Sequence, residues 1–589
     1  MVNLKKTKLV LLLFLLLGLS HASFAQLTPW EKLEKQYLVA KKQGHFQEAL
    51  TFARQAFAVA RHSELKQFPM SCLYLGAAYH DQGNYKHAEM MYNYALSLWT
   101  KIYGSDSLAV AGAMDSLSKN YSAQGKYKEA EQFARKAMRI LGKKYGKNGR
   151  MWASQLANLG WIQDEQGNYL KAEALYKKAQ ALLEKKPVQN VRQLATLLNN
   201  LASLYETQGK YEMAEQLHHQ VIQMVERAQG QDHPTLATNF NNLGSLYITL
   251  GLYSKAEPLL NRALFLEKKY YGSKHIMTAV TLNDLGLLYT EQGNYQKAIL
   301  MYQRSLTIDK KIEREGPDVA TSLSNLARVY RILGQYHQAE EFALEALKMD
   351  KKFLPANHAS IGRDLNNLAR IYDAQGQAAK AEDLYQQAVL ILEKAYGTEH
   401  PEFATSLNNL ATVYAEKNQH QKAEQLYLRA IAINEKSLPP ESPNAADALH
   451  NLAELYLREG KYSEAVTLSQ RVVNLRQKAL GVNHPEVASS LNNLAQAYSN
   501  QALYAKAEPL YLQAIGIVEK TLGPEHPDLA TYMNNLAELY LAEKQYAKAK
   551  PLFEKALLIS TQSLGARHPT VLAIQQNLKQ CKRKNRLGF

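Results

Sequence analysis

The chain has 589 residues, too many for one hydrophobic core, so several domains or a repeat array are expected. Its 46% apolar and 21% charged residues are typical of a folded protein and exclude an intrinsically disordered chain. The formal net charge of +16 favours acidic partners or anionic surfaces. Nucleic-acid binding is not expected, because no zinc-finger spacing, Arg-rich helix or aromatic RNA-binding motif accompanies the charge.

Residues 1–25 have the pattern of a signal peptide. Lys5, Lys6 and Lys8 precede an apolar run over residues 9–19, and small residues up to Ala25 offer a cleavage site. The run is short for a membrane span, which leaves a retained anchor as the alternative, and no Cys follows it for lipid attachment. Cleavage would lower the formal charge from +16 to +13 by removing three lysines. We therefore expect an exported protein, periplasmic or secreted, with no transmembrane segment.

A short unit, Gly-x-aromatic-x-x-Ala, recurs along the rest of the chain. After the first interval the step is 42 residues, apart from one step of 41 before Gly334. Three later units replace the glycine. The thirteen positions are Gly44, Gly83, Gly125, Gly167, Gly209, Gly251, Gly293, Gly334, Gly376, Asn418, Gly460, Ala502 and Lys544.

Each unit has the apolar spacing of two amphipathic helices. In the unit around Asn418, Leu407, Leu410 and Tyr414 recur at three- and four-residue intervals, and Ala423 and Tyr427 lie on one face of the next helix. One hairpin of this kind cannot bury its apolar faces alone, but a stack can. The sequence predicts an all-α fold of about 13 helical hairpins over residues 27–560.

A second motif, Gly-x-x-His-Pro, joins successive units. Glycine ends the preceding helix and proline starts the next one. We expect residues 561–581 to form a C-terminal capping helix, followed by a mobile basic tail at 582–589. Cys72 and Cys581 lie at opposite ends of the array, too far apart for a disulfide. The motif occurs at Gly230–Pro234, Gly397–Pro401, Gly481–Pro485, Gly523–Pro527 and Gly565–Pro569.

The Asn-Asn-Leu-Ala…Tyr helix, the Gly-x-Tyr-x-x-Ala-Glu turn, the Leu-Tyr-x-x-Ala helix and the Gly-x-x-His-Pro link together resemble the tetratricopeptide repeat of the kinesin-light-chain type. The resemblance extends from about residue 30 to 580. It implies a right-handed superhelix of α-hairpins that binds protein segments. A motor-adaptor role is not implied, because no heptad coiled coil precedes the repeats and an export signal does.

In this family the first helix of each hairpin lines a concave groove, and the residue before the repeat's Leu points into it. From the fourth unit onwards that residue is Asn, except at Asp284. A carboxamide can pair with both the N–H and the C=O of an extended peptide. The alternative is hydrogen bonding between hairpins, which we favour for the asparagines one position earlier, such as Asn408. The predicted peptide-binding ladder is Asn158, Asn200, Asn242, Asn325, Asn367, Asn409, Asn451, Asn493 and Asn535, with Asn577 continuing the series.

Charged groove positions that vary between units are candidates for ligand specificity. The arginines Arg328, Arg331, Arg363 and Arg370 predict contact with an acidic stretch of the ligand, although Asp373 lies close by. Further along, Asp447, Glu454 and Glu538 predict contact with a more basic stretch. The alternative is an unspecific scatter of solvated charges.

No catalytic, metal or cofactor residues are predicted. The histidines occur about once per link and are strung along the array rather than converging on one ion. No nucleophile elbow, phosphate loop or paired-Cys motif occurs. We predict a non-enzymatic scaffold that binds an extended peptide or protein segment. The alternatives are a binder of anionic envelope polymer or membrane surface through its basic charge, and an enzyme with ionisable groups converging inside the groove.

Overall fold

The computed structural model describes residues 27–43, 45–61, 66–185, 187–312, 315–438, 442, 445–566 and 568–586. The signal-peptide segment 1–25 and Gly44 lie outside these residues. The described part is all-α, as predicted. Its helices are α1 Pro29–Lys42, α2 Phe46–Ala60, α3 Gln67–Asp81, α4 Tyr85–Tyr103, α5 Leu108–Ala123, α6 Tyr127–Tyr145, α7 Arg150–Glu165, α8 Tyr169–Leu183, α9 Pro187–Thr207, α10 Tyr211–Gln229, α11 Thr235–Thr249, α12 Tyr253–Tyr270, α13 Ile276–Glu291, α14 Tyr295–Lys311, α15 Pro317–Ile332, α16 Tyr336–Phe353, α17 Ala359–Ala374, α18 Ala378–Tyr396, α19 Pro401–Glu416, α20 His420–Ser437, α21 Ala446–Arg458, α22 Tyr462–Leu480, α23 Pro485–Asn500, α24 Tyr504–Thr521, α25 Pro527–Ala542, α26 Tyr546–Leu564 and α27 Pro569–Arg586.

These helices pair in chain order into thirteen hairpins, from α1–α2 to α25–α26, and α27 covers the last one. The turn inside a hairpin needs a left-handed residue, such as Gly125 at φ +69° or Asn418 at φ +58°. Ala411 and Ala423 are fully buried where the two helices of their hairpin meet. The hairpin count, the turn conformation and the role of the small residues predicted from the repeat are confirmed.

In seven of the described first helices, a tyrosine near the C-terminal end ties neighbouring hairpins together. The hydroxyl of Tyr247 donates to Glu215, 2.7 Å away on the preceding hairpin, and Lys255 lies over the same ring at 5.2 Å. The same bond recurs between Tyr289 and Glu257 at 2.8 Å. Each bond gives a buried ring a partner for its polar end, which accounts for part of the high tyrosine content. Equivalent pairs are Tyr121–Glu89, Tyr205–Glu173, Tyr372–Glu340, Tyr456–Glu424 and Tyr540–Glu508.

Seven of the links carry a histidine that caps the helix that follows. Nδ1 of His484 accepts from the backbone N–H of Glu486 at 3.1 Å, and Pro485 occupies the first helical position. His400 caps α19 in the same way through Glu402. The ring therefore supplies one acceptor for the unpaired N–H groups at the helix start.

The other ring nitrogen reaches a distant part of the chain. Nε2 of His484 donates to the carbonyl of Thr249, 2.9 Å away and 235 residues earlier, and the ring packs on Gly251. The hairpins therefore curl into a superhelix in which one turn rests on the next after about five and a half units of 42 residues. The carbonyls of Lys42, Glu291 and Ile332 accept in the same way from His275, His526 and His568.

We call this line of turn-to-turn contacts the seam. In it, the turn glycine of an early hairpin lies against the link of a later one. Its packing contacts are Gly83 with Pro317, Gly125 with His358, Gly167 with His400, Gly251 with His484, Gly293 with His526 and Gly334 with His568.

The C-terminal boundaries differ from the expected ones. The last hairpin extends to Leu564, the capping helix begins only at Pro569, and it continues to Arg586 through most of the expected tail. An ion pair of 3.0 Å between Lys582 and Glu554 of α26 holds that end. Cys72 and Cys581 are both free thiols, as expected. Within the described ranges, no helix is long and apolar enough to cross a membrane.

Candidate functional site

The inner face of the superhelix is formed by the odd-numbered helices. Most of them pack on their hairpin partner and also on the odd helix of the next hairpin, for example α15 on α17 and α19 on α21. Side chains on their free faces therefore point towards the superhelix axis. The predicted groove residues all lie on these helices.

Several ladder asparagines bond to the neighbouring hairpin. Nδ2 of Asn451 donates to Oδ1 of Asn408 at 3.0 Å, and Asn535 donates to Asn492 at the same distance. Asn325 donates to Asn283 at 3.4 Å and Asn577 to Asn534 at 3.1 Å. In each pair, a ladder residue meets the asparagine one position earlier in the preceding unit. One N–H of each of these carboxamides therefore serves the stacking of hairpins.

Other ladder members use different neighbours. Asn158 donates to Ser118 at 3.3 Å, and Asn493 donates to Glu454 at 3.1 Å, with its Nδ2 atom 2.9 Å from Nε2 of His450. Where Asp284 interrupts the ladder, its carboxylate accepts from Asn241.

Three ladder asparagines have no side-chain partner in the described part of the chain. They are Asn200, Asn242 and Asn367, and all three are partly exposed on the inner helices. Their donors and acceptors are free for a ligand. Whether any ladder residue contacts a peptide stays a prediction.

A pocket of about 500 Å³ opens on the inner face between α15, α17, α19 and α21. It brings Arg331 and Arg370 together with ladder asparagines from two further hairpins. Tyr385 of α18 also lines it. The remaining polar lining residues are Asp373, Asn408, Asn409, Thr412, Glu416, Asp447, His450 and Asn451.

The arginine side of this groove pocket carries cationic charge without a carboxylate partner. Arg370 donates to Oδ1 of Asn409 at 3.1 Å. Arg331 forms no hydrogen bond or ion pair with any described residue, and burial lowers its pKa, as do the neighbouring charges of Arg370 and Arg328. A partly buried cation without a partner favours an anionic ligand group.

The pocket also holds a carboxyl pair, Asp373 and Glu416. Burial and a hydrogen bond with Asp373 raise the pKa of Glu416 to about 7. Two carboxyl groups this close retain a proton near neutral pH. Sequence reasoning missed Glu416, although it lies 43 residues after Asp373, the same spacing that joins Asn408 to Asn451.

The other predicted specificity residues lie apart from the pocket. Arg328 pairs with Glu291 at 2.8 Å, and Arg363 donates to Tyr396 at 3.3 Å near the seam. Glu454 accepts from Asn493, and a hydrogen bond from His450 holds its pKa below the usual range. Glu538 accepts from Asn534 at 2.9 Å and from Asn577. Only two of the four arginines thus act at one place.

The link histidines are used as caps and in the seam. Burial lowers the pKa of His358, His400 and His484 to about 4, so these rings are neutral near pH 7. Among the described residues, no group of three His, Cys, Asp or Glu side chains could hold a metal ion.

Comparison with known proteins places most of the chain in one repeat family. The tetratricopeptide repeat profile matches residues 69–143, 193–266, 266–311, 360–436, 444–520, 500–557 and 530–587, and a second tetratricopeptide profile matches 319–359. None of the curated proteins compared with the chain matches it.

Part of the chain is also similar to solved structures. A Podosopora anserina kinesin light chain with nearly identical repeats, and a point variant of that protein, are both 34% identical to the chain with a TM-score of 0.30. The similar region covers 35% of this chain and 98% and 97% of those chains, respectively. BtubC (BKLC) of P. vanneervenii is 21% identical over 39% of this chain and 91% of its own, with a TM-score of 0.31.

Proposed function

Because the chain belongs to the tetratricopeptide repeat family, we propose that it is an exported, non-enzymatic scaffold whose inner groove binds an extended segment of another protein. Arrays of this family are protein–protein interaction scaffolds and are typically non-enzymatic. The finer parts of the proposal are the export, the groove as binding surface and the chemistry of the ligand.

The groove pocket carries the proposal. Arg331 has no described anionic partner there, and it shares the pocket with Arg370, Asn409 and Asn451 from three consecutive inner helices. Such a site offers a charge for an acidic side chain and carboxamides for a peptide backbone. We therefore propose that the bound segment places an acidic residue at Arg331 and Arg370.

The free asparagines support backbone recognition along the rest of the groove. Asn200, Asn242 and Asn367 lie on inner helices and bond to no described residue. Asparagine is a poor helix former. At these three positions no described hydrogen bond between hairpins offsets that cost. Each hydrogen bond to a ligand would contribute roughly 0.5–1.5 kcal/mol.

Export is proposed from residues 1–25 alone. The test is expression of the full chain and of a chain that begins at Gln26, followed by cell fractionation. Recovery of the full chain outside the cytoplasm, shortened by about 25 residues, supports export. Cytoplasmic recovery of both chains at full length contradicts it.

Groove binding is tested by affinity capture with chains that begin at Gln26. One variant changes Arg331 and Arg370 to Glu, and a second changes Asn200, Asn242 and Asn367 to Ala. A matched control carries Leu344→Ala, Leu428→Ala and Leu512→Ala, exposed positions on even-numbered helices. Loss of the same captured protein from both groove variants, with retention by the control, supports the proposal. Unchanged capture by both groove variants contradicts it.

A further inference from the structure

The seam runs along the edge of the groove as a series of separate contacts. Contacts between turns are described at six hairpins, consecutively at Gly83, Gly125 and Gly167 and again at Gly251, Gly293 and Gly334. Because these contacts join hairpins about 233 residues apart, they connect the edges of two superhelical turns.

The contacts are tight. A Cβ atom placed on Gly167 would lie 2.9 Å from Cδ2 of His400, and one on Gly293 would lie 2.8 Å from Cδ2 of His526. An extended chain needs about 5 Å to the next backbone on each side. No polypeptide can therefore pass sideways through the seam at these points unless the turns separate.

The sequence distinguishes hairpins that meet a later turn from those that do not. Within the described residues, no later turn faces the last five hairpins, and three of them carry Asn418, Ala502 or Lys544 at the turn, all with positive φ. The glycines of the other two, Gly376 and Gly460, have nothing within 4 Å of a Cβ position. A side chain is thus accepted at the turn where no seam exists.

We infer that the seam closes the groove along its side, so that the groove admits a polypeptide with a free end, threaded along the superhelix axis, and excludes a loop flanked by folded domains. The inference rests on the proposed function, since it names the kind of segment that the groove can receive. The partner it predicts is an unfolded chain end.

The test measures access to a single reactive thiol inside the groove. Asn367→Cys places it on α17, which begins directly after the seam residue His358 and precedes the His400 contact. The native thiols of Cys72 and Cys581 are buried, and burial raises the pKa of both, so they compete little. The probes are a 30-residue Gly-Ser peptide with a maleimide at its tip, and the same peptide with the maleimide at its centre and a folded domain at each end.

The tip probe is expected to label Asn367→Cys at least tenfold faster than the flanked probe, after both rates are divided by those for Leu428→Cys on the outer surface. Adding Gly125→Lys and Gly167→Lys should open the seam and remove the difference. The matched control adds Gly376→Lys and Gly460→Lys, which have the same turn conformation without a seam contact, and should retain it. Lys544 shows that the turn accepts lysine.

Equal labelling of Asn367→Cys by both probes would overturn the inference. If the Gly125→Lys and Gly167→Lys chain fails to fold, as judged by its helical circular dichroism, His358→Ala with His400→Ala opens the same contacts. The labelling test uses no natural ligand, so its outcome does not depend on the capture experiment. If the labelling shows a closed seam but the protein captures no partner, the proposed function is refuted and the inference about the seam is not.

Discussion

The side-chain amide of Asn451 donates a hydrogen bond to Oδ1 of Asn408, 3.0 Å away on the preceding hairpin. Asn367, at the equivalent ladder position of an earlier unit, has no such partner in the described chain. The same residue type at the same repeat position therefore has two different roles. One asparagine joins hairpins, and the other is free for a ligand.

This difference predicts opposite effects of alanine. Asn451→Ala leaves the buried carbonyl of Asn408 without its donor and should lower the free energy of unfolding by about 1 kcal/mol. Asn367→Ala removes no hydrogen bond and should raise it by up to about 0.5 kcal/mol through better helix propensity. Urea denaturation of both variants measures this, and equal destabilisation would contradict the assignment.

The link histidines predict a loss of stability in acid. Burial lowers the pKa of His400 to about 4, with Arg363 adding to the effect, whereas the unfolded side chain titrates near 6.5. The native state binds fewer protons than the unfolded state. The contribution of the neutral His400 ring to the free energy of unfolding is therefore complete above pH 6.5 and is lost as the pH falls towards 4. It amounts to roughly 1–3 kcal/mol.

The experiment compares the wild-type chain with His400→Asn at pH 7.5 and 4.5. A comparison with the variant is needed because buried carboxyl groups with raised pKa values change the stability of both chains in the opposite direction on acidification. Asparagine retains a helix-capping oxygen but has no proton to gain. The stability of the variant should fall less than that of the wild type on acidification. A parallel fall in both chains would show that His400 does not titrate in this range.

The carboxyl pair of the groove predicts a loss of stability at high pH that a neutral residue would relieve. Glu416 has a pKa raised to about 7, so its charged form is disfavoured in the native chain and its cost grows between pH 4.5 and pH 7. Glu416→Gln should therefore be more stable than the wild type at pH 8, by about 1 kcal/mol once its exposure to water is allowed for. The two chains should differ little at pH 4.5. Thermal unfolding at both values measures the difference, and the same difference at both would contradict a shared proton.

Two helical glycines form a matched pair for packing. A Cβ on Gly286 would lie 2.6 Å from the Tyr302 ring, whereas one on Gly112 would meet nothing within 4 Å. Gly286→Ala should cost about 1–3 kcal/mol by overpacking, and Gly112→Ala should stabilise by about 0.5–1 kcal/mol. Denaturant titration measures the free energy of unfolding of both variants. A change of the same sign and size in both would contradict this assignment.

The local structure could be predicted because each hairpin repeats the same physical pattern. Apolar spacing located the helices, and the turn residues and prolines located most of their ends. The seam could not be predicted, because it joins His484 to Thr249 across 235 residues and no local pattern encodes the pitch of the superhelix. For the same reason, the role of the link histidines in the seam could not be predicted.

The groove was predicted less completely than the fold. The ladder positions were located on the inner helices, but the bonds between Asn451 and Asn408 depend on the register of neighbouring hairpins. Position in the repeat alone groups Arg328 and Arg363 with Arg331 and Arg370. Their partners, Glu291 and Tyr396, are on other elements and direct them away from the pocket.

Site-specific photocrosslinking tests the central claim most directly. A benzophenone side chain is placed at Asn367 inside the groove or at Leu428 on the outer surface, and each chain is irradiated in an extract that contains the captured protein. We predict a crosslink from position 367, mapped to an extended, free-ended segment of that protein, and none from position 428. A crosslink from position 428 with none from position 367 would contradict binding in the groove.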